Sequence, residues 1–277
     1  MPEILHISDL HFGPPFLADR AEAALELGRR RRPDVVVVSG DFTQRAKPRQ
    51  YEAARDYVRR FEVPVVVTPG NHDIPLYRVF ERLLRPYGNY TRHINEALDS
   101  VHRLPGLTLV CLNSSRPYVI TNGRLGRRQL ELARRAFDRS EGLEIRVVVT
   151  HHHLAPPPDF EGGNVMPRAR RAIEAFTEMG VDLILAGHMH RAYIGDSLDF
   201  FPGGEREKGI VIVQCGTTTS ARGRGRERLK NSLNVIRADD GRMRITHYLW
   251  RGPAEGFSPH SEHRFGVRPR SWLAEPA

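Results

Sequence analysis

The chain is short of cysteine, lysine and long apolar runs. Two cysteines, Cys111 and Cys215, occur in 277 residues, which excludes a disulfide-stapled scaffold and a cysteine-built zinc finger. A reducing, cytoplasmic setting is the expectation that follows. The longest apolar stretch is a handful of residues around Val35–Val38, against the roughly 18–20 that a membrane-spanning helix needs. The N-terminus, MPEILHISD, carries Glu3 and no basic region ahead of an apolar one, so no secretory signal is expected. Lysine is nearly missing: Lys47, Lys208 and Lys230 are the lysines among 42 cationic residues. The net charge of +9 raises the question of an acidic partner such as nucleic acid. An arginine bias reads instead as genome composition, and the Arg29–Arg32 run as a solvated helix end where cations suit the dipole. Nucleic acid is therefore disfavoured as a partner. What the chain does have is histidine, 13 in all, several of them clustered.

The first part alternates short β-rich runs with helical patterns. Strands are expected at 4–8, 35–39 and 63–68, with helices at 19–31 and 48–61 between them. That alternation predicts a parallel sheet covered by helices. Residues 75–98 read as helical but interrupted by Pro86 and Gly88. Further strands are expected at 107–113, 146–150 and 183–186, with helices at 125–139 and 168–179, and then strands at 209–215, 232–237 and 242–249. Beyond residue 250 the chain holds Pro253, Pro259, Pro269 and Pro276 and reads as an extended or partly disordered tail.

The residues that follow the strands carry the chemistry. Asp9 and His11 come after the first, Gly40-Asp41 after the second, and Gly70-Asn71-His72-Asp73 after the third. His151-His152-His153 follows the strand at 146–150, and Gly187-His188-Met189-His190 the strand at 183–186. In open α/β sheets functional groups gather at the carboxyl ends of strands, so the five groups are expected to converge. Asp9 and His11, like His188 and His190, stand at i and i+2, which in extended chain points both side chains the same way. Each glycine ahead of a ligand permits a sharp turn and close approach of backbone. Imidazole with carboxylate and amide oxygen suits zinc, manganese, iron or cobalt. The lack of thiolate disfavours a structural zinc site.

This ordered set resembles the calcineurin-like metallophosphoesterase superfamily, from residue 5 to about 190. Gly216-Thr217-Thr218-Thr219-Ser220, followed by Asn231-Ser232-Leu233-Asn234, is similar to its bacterial cyclic-nucleotide phosphodiesterase branch (class III). The resemblance implies an α/β fold, a four-layer αββα sandwich over residues 1–250 with a Pro-rich tail at 251–277. It implies two divalent metal ions (manganese, iron, zinc or cobalt), one held by Asp9, His11, Asp41 and His190 and the other by Asp41, Asn71, His151 and His188. Asp41 would bridge. A hydroxide shared by the metals would attack phosphorus, with His72 as general acid or transition-state donor, oriented by Asp73.

The substrate implied is a small-molecule phosphoester, with cyclic nucleotides or related diesters foremost. Protein Ser/Thr phosphatases of the superfamily have Arg and Glu where this chain has Pro69 and Asp73, and the lipid A pathway branch has Arg in place of His72. A broad-range phosphomonoesterase or a nuclease using the same site are the enzymatic alternatives, and a metal-free scaffold the non-enzymatic one. A homo-oligomer is compatible with the sequence. His151 is the preferred ligand of its triplet, with His152 behind it or facing substrate. His6 reads as packing, while His93, His102, His247, His260 and His263 read as structural or exposed. The cluster Arg222–Arg228 reads as a solvated loop or a phosphate-facing rim. The irregular 155–167 loop is expected to shape substrate access.

Overall fold

Alternating valines at the start of the chain set the layering. In β2 (Val35–Val38), Val35 and Val37 point to one side and Val36 and Val38 to the other, and all four are wholly buried. A strand apolar on both faces must be covered on both. The computed structural model describes residues 2–139, 144–156, 165–201, 209–239 and 241–266, and within them two six-stranded sheets stack between helices.

The first sheet runs β12-β11-β10-β1-β2-β3. Here β1 is Glu3–Ile7, β3 Val65–Val67, β10 Ser232–Asp239, β11 Arg242–Trp250 and β12 Phe257–Gly266. β1, β2 and β3 are parallel, and β10 to β12 form an antiparallel meander joined to β1. The second sheet runs β4-β5-β6-β7-β9-β8, from β4 (Ser100–Leu104), β5 (Leu107–Cys111), β6 (Ile145–Val149), β7 (Leu183–Ala186), β8 (Tyr193–Asp196) and β9 (Val211–Gln214). Its four central strands are parallel and its two edge strands antiparallel.

Helices α1 (Ala18–Arg31) and α2 (Pro48–Val58) cover the first sheet. α1 buries Ala21, Ala24, Leu25 and Gly28, the spacing of one helical face. It stops at Arg32, whose left-handed backbone (φ 48°) lets its N–H close on Gly28. α5 (Arg127–Asp138) and α6 (Ala169–Glu178) cover the second sheet with Ala133, Phe137, Ile173 and Phe176. The inner faces of the two sheets meet through Val35, Val37, Leu109, Val147, Leu185 and Val213. Each such side chain contributes about 1.5–3 kcal/mol relative to exposure. The layers are therefore helix, sheet, sheet, helix, as the resemblance implied. Two short helices, α3 (Val79–Leu84) and α4 (Gly88–His93), lie between β3 and β4 and are broken at Pro86 as expected.

Three strands went unforeseen, all at sheet edges. β4 and β8 are short and half-buried, with Gly195 inside β8. β12 alternates exposed and half-buried residues and carries Pro259, which an edge strand tolerates. The expected boundary at residue 250 therefore moves: the first sheet continues to Gly266. The end of the tail, 267–277, and most of the 155–167 loop, residues 157–164, lie outside the described residues.

Candidate metal centre

Six parallel strands, β1, β2 and β3 from one sheet and β6, β7 and β9 from the other, end on the same side of the molecule. The loops that leave them are tightly wound. Asp9, His11, Asp41, His188 and His190 all have left-handed backbones, with φ of 53°, 50°, 51°, 74° and 53°. Such conformations cost non-glycine residues roughly 1–3 kcal/mol each and gather where a structure holds them for function. Side-chain convergence at Asp9/His11 and at His188/His190 thus comes from left-handed turns, not from the extended chain expected. Likewise Asn71, His72 and Asp73 form a 3-10 turn instead of an extended segment. Gly40 is itself left-handed (φ 96°), and a Cβ there would collide with the His151 ring. At Gly187 a Cβ would strike Ser8 and Asp9, so this glycine allows close approach of the two sheets' loops.

The geometry divides around one oxygen. One ligand atom from each of Asp9, His11, Asp41 and His190 lies within 4.8 Å of the other three, and all four residues are buried. Within this group His190 Nε2 is 3.1 Å from Asp9 Oδ1 and 2.9 Å from His11 Nε2. On the other side His151 Nε2 lies 3.4 Å from Asp41 Oδ2 and 3.2 Å from Asn71 Oδ1, and His188 Nδ1 lies 3.0 Å from the same Asn71 oxygen. Asp41 Oδ2, 3.6 Å from His11 Nε2, belongs to both groups. All seven expected ligand residues therefore meet in one place, the first four elements of the set from one sheet and the histidines 151, 188 and 190 from the other.

Surrounding bonds turn these atoms toward one another. His151 Nδ1 donates to Ser39 O (2.7 Å) and His190 Nδ1 to Arg222 O (2.9 Å). Carbonyls only accept, so each ring's Nε2 is turned inward as a lone pair. Asn71 Nδ2 donates to Ile120 O (3.2 Å), which turns Oδ1 inward too. Asp9 Oδ2 is taken by Ser8 Oγ and His188 N, and Asp41 Oδ1 by His72 N. What remains is Asp9 Oδ1 and Asp41 Oδ2, both buried and neither hydrogen-bonded. Buried acceptors facing acceptors are costly unless a positive charge lies between them.

Charge balance points the same way. Burial opposes ionisation of Asp9 and Asp41, yet the neighbouring imidazoles hold both carboxyls well below the usual range. Burial drives His11 down to about 4 and His188 to about 3, neutral rings suited to ligation. On His151 burial is outweighed, chiefly by the charge of the Asp41 carboxylate, and the ring rises to about 9. A proton on that ring answers the carboxylate field in one way, and a metal ion on its lone pair answers it in another.

His72 and Asp73 part company. His72 Nδ1 donates to Gln44 O (2.9 Å), with the ring edge-on to His11 and Arg45 Nη1 3.5 Å away. Asp73 does not orient it, contrary to expectation. Its oxygens accept from Gly70 N, Phe42 N, Thr43 N and Thr43 Oγ1, at 2.9–3.1 Å, and so tie the loop after β3 to the loop after β2. Of the other two histidines in the triplet, His152 turns to Ser114 Oγ (2.8 Å) and His153 stacks on His188. His6 bonds Ser39 Oγ. His247, His260 and His263 line a separate cleft of about 570 Å³.

Several residues that support the centre were given no such role, or only an open one, by the sequence. Ser8 caps Asp9. Thr217 Oγ1 and Thr219 Oγ1 donate to the Asp9 and Leu10 carbonyls and hold the first loop in its strained turn. Their run of hydroxyls was the signal. Gln44 holds His72 through its carbonyl and Arg222 through its side chain. Arg222 is half-buried beside Asp41 and Asp9, so this member of its cluster stands at the rim of the centre.

A profile of the Calcineurin-like phosphoesterase family matches residues 2–192. The Synechococcus sp. protein named "Probable cyclic nucleotide phosphodiesterase" is 30% identical over 193 residues, 66% of this chain and 69% of that one. The 3',5'-cyclic adenosine monophosphate phosphodiesterase of Haemophilus influenzae is 28% identical over 160 residues, 57% of this chain and 55% of its own length. Among solved structures, a purple acid phosphatase from yellow lupin superposes with a TM-score of 0.75 at 12% identity, over 99% of this chain and 55% of that one, a likeness of fold. The family match covers well over half of the chain and falls on the strands and loops that build the centre: the chain belongs to the calcineurin-like phosphoesterases and is a metal-dependent phosphoesterase.

Proposed function

We propose that the chain is a dinuclear-metal phosphodiesterase acting on small phosphodiesters, cyclic nucleotides foremost. The observation that carries this reading is Asp41 Oδ2, an orphaned buried oxygen between His11 of one group and His151 of the other. Asp9, His11, Asp41 and His190 would hold one divalent ion and Asp41, Asn71, His151 and His188 the second. Such a pair lowers the pKa of water and offsets the charge of the phosphate. The chain's own residues do the rest. With Nδ1 committed to Gln44, His72 presents Nε2 to the substrate; burial favours the neutral ring, but the Asp41 carboxylate and the Gln44 carbonyl favour the charged one, and in that charged form Nε2 donates its proton to the departing oxygen. Arg45 near His72 and Arg222, held by Gln44, would offer two guanidinium groups to a phosphodiester anion. The preference for a diester rests on the similarity to named cyclic nucleotide phosphodiesterases.

Elemental analysis after manganese reconstitution should approach about two metals per chain. The loaded enzyme is then offered bis-p-nitrophenyl phosphate, p-nitrophenyl phosphate, 3',5'- and 2',3'-cyclic nucleotides and glycerophosphodiesters. Turnover of diesters ahead of the monoester is expected. A single metal per chain would overturn the dinuclear reading, and a monoester preference of about tenfold or more, roughly 1.4 kcal/mol in the barrier, would overturn the diesterase reading.

A further inference from the structure

The apolar residues that the fold leaves outside are gathered beside the metal centre. Among the described residues nine large hydrophobic side chains are exposed, and all but Leu229 lie within residues 77–84 and 118–120. Phe80 is 82% exposed, Leu84 78%, Tyr77 76% and Tyr118 81%. None of the six residues of α3 is buried, so this helix adds nothing to the core.

The two segments form one face. Arg82 Nη2 donates to Val119 O (3.0 Å) and binds α3 to the 118–120 loop. That face reaches the centre at two points. Asn71 Nδ2 donates to Ile120 O, and Arg45, next to His72, lies over the Tyr77 ring at 5.7 Å. A contiguous apolar face of this kind marks an interaction site.

Charge says what it meets. Residues 44–50, 74–92 and 116–128, which carry and flank the face, hold eleven Arg or Lys and a single acid, Glu81. In the rest of the chain cations and acids nearly cancel, at 31 and 32. Along the sequence, the positive excess of the protein therefore falls on the stretches that carry and flank its exposed apolar face. Glu81 is already paired with Arg78. A second copy docked face to face would set one arginine rim against the other, with little acid to relieve it. An anionic surface with an apolar interior satisfies both features, since phosphate headgroups pair with the arginines while Phe80 and Leu84 enter the acyl boundary.

We propose that this face docks the chain onto anionic lipid membranes, with the metal centre opening at the docked side. The proposal concerns where the enzyme works and holds whichever phosphodiester it cleaves. It is tested by sedimentation of the full, metal-loaded chain with vesicles of phosphatidylcholine alone or with about a third phosphatidylglycerol. Binding is expected to the anionic vesicles, to weaken as salt is raised, and to be absent from phosphatidylcholine alone. The double variant Phe80→Ser/Leu84→Ser should lose at least about tenfold in partitioning, and Arg85→Glu several-fold. Both should keep wild-type circular dichroism and turnover of soluble bis-p-nitrophenyl phosphate, because these side chains are exposed and outside the centre. Lack of binding to anionic vesicles would overturn the proposal, as would binding that the double variant leaves unchanged. A wild-type dimer that the double variant dissolves, without vesicle binding, would assign the face to a second copy instead. Vesicle binding is read without turnover, so its failure and a failure of the phosphodiesterase reading are separate results.

Discussion

Replacing Asp73 with alanine separates a catalytic carboxylate from a structural one. The side chain accepts hydrogen bonds from three backbone N–H groups, those of Gly70, Phe42 and Thr43, all in buried surroundings. The Thr43 hydroxyl also donates to it, but that hydroxyl has a second acceptor in His72 O at 3.1 Å. Alanine therefore orphans three donors and not four. An unmade buried hydrogen bond costs about 1–3 kcal/mol, and relaxation recovers part of it, so Asp73→Ala should lose about 4 kcal/mol of stability. That is a large share of the roughly 5–15 kcal/mol available to a domain. Asp73→Asn keeps one acceptor oxygen and should lose about half as much. Urea unfolding of the metal-saturated protein, followed by far-ultraviolet circular dichroism, measures both. If Asp73 served only to orient His72, both variants would unfold near the wild-type midpoint and lose turnover instead. A loss below about 1 kcal/mol in Asp73→Ala would refute the reasoning.

Two further outcomes follow from the centre. His151→Ala should lower metal content by elemental analysis and remove most turnover, whereas His153→Ala, whose ring packs on His188 without reaching Asp41, should keep its metals. His72→Ala should retain both metals and lose about 10²–10³-fold on diesters with poor leaving groups. It should lose much less on nitrophenyl esters, whose leaving group departs without a proton, and an equal loss on both would reassign His72 to phosphate binding.

The convergence of the candidate ligands was legible because metal chemistry restricts residue type so severely. Few combinations other than a metal site place Asp9, His11, Asp41, Asn71, His151, His188 and His190 behind five strands in order. The strands at 35–38 and 183–186 were legible for a related reason: apolarity on both faces admits few readings. Edge strands carry no such constraint. β12 pairs through its backbone while its side chains alternate toward solvent, and Pro259 reads as a breaker unless the edge position is known. Asp73 was misread because a short string places it beside His72 in sequence, while the 3-10 turn sends its carboxylate to the backbone of the neighbouring loop. The apolar face was hidden by composition. Arginines distributed along the chain look uniform until the fold brings three segments together.

Each sheet alone carries half a centre. The first sheet supplies Asp9, His11, Asp41 and Asn71, and the second supplies His151, His188 and His190. Hydrogen bonds join the two halves, among them His151 Nδ1 to Ser39 O, His188 N to Asp9 Oδ2, Asn71 Nδ2 to Ile120 O and Thr217 Oγ1 to Asp9 O. Each is worth a net of roughly 1 kcal/mol, set against five left-handed residues whose conformations cost about 1–3 kcal/mol each. The inter-sheet core works with these bonds: Val35, Val37, Val147 and Leu185 pack between the sheets within the strands that lead into the loops. Fixed sheets leave the loop ends no room to relax, and the glycines at 40 and 187 let them close to van der Waals contact. Strain in the loops is thus balanced against apolar burial beneath them, and the orphaned oxygens of Asp9 and Asp41 stay trained on one point because neither side can give way alone.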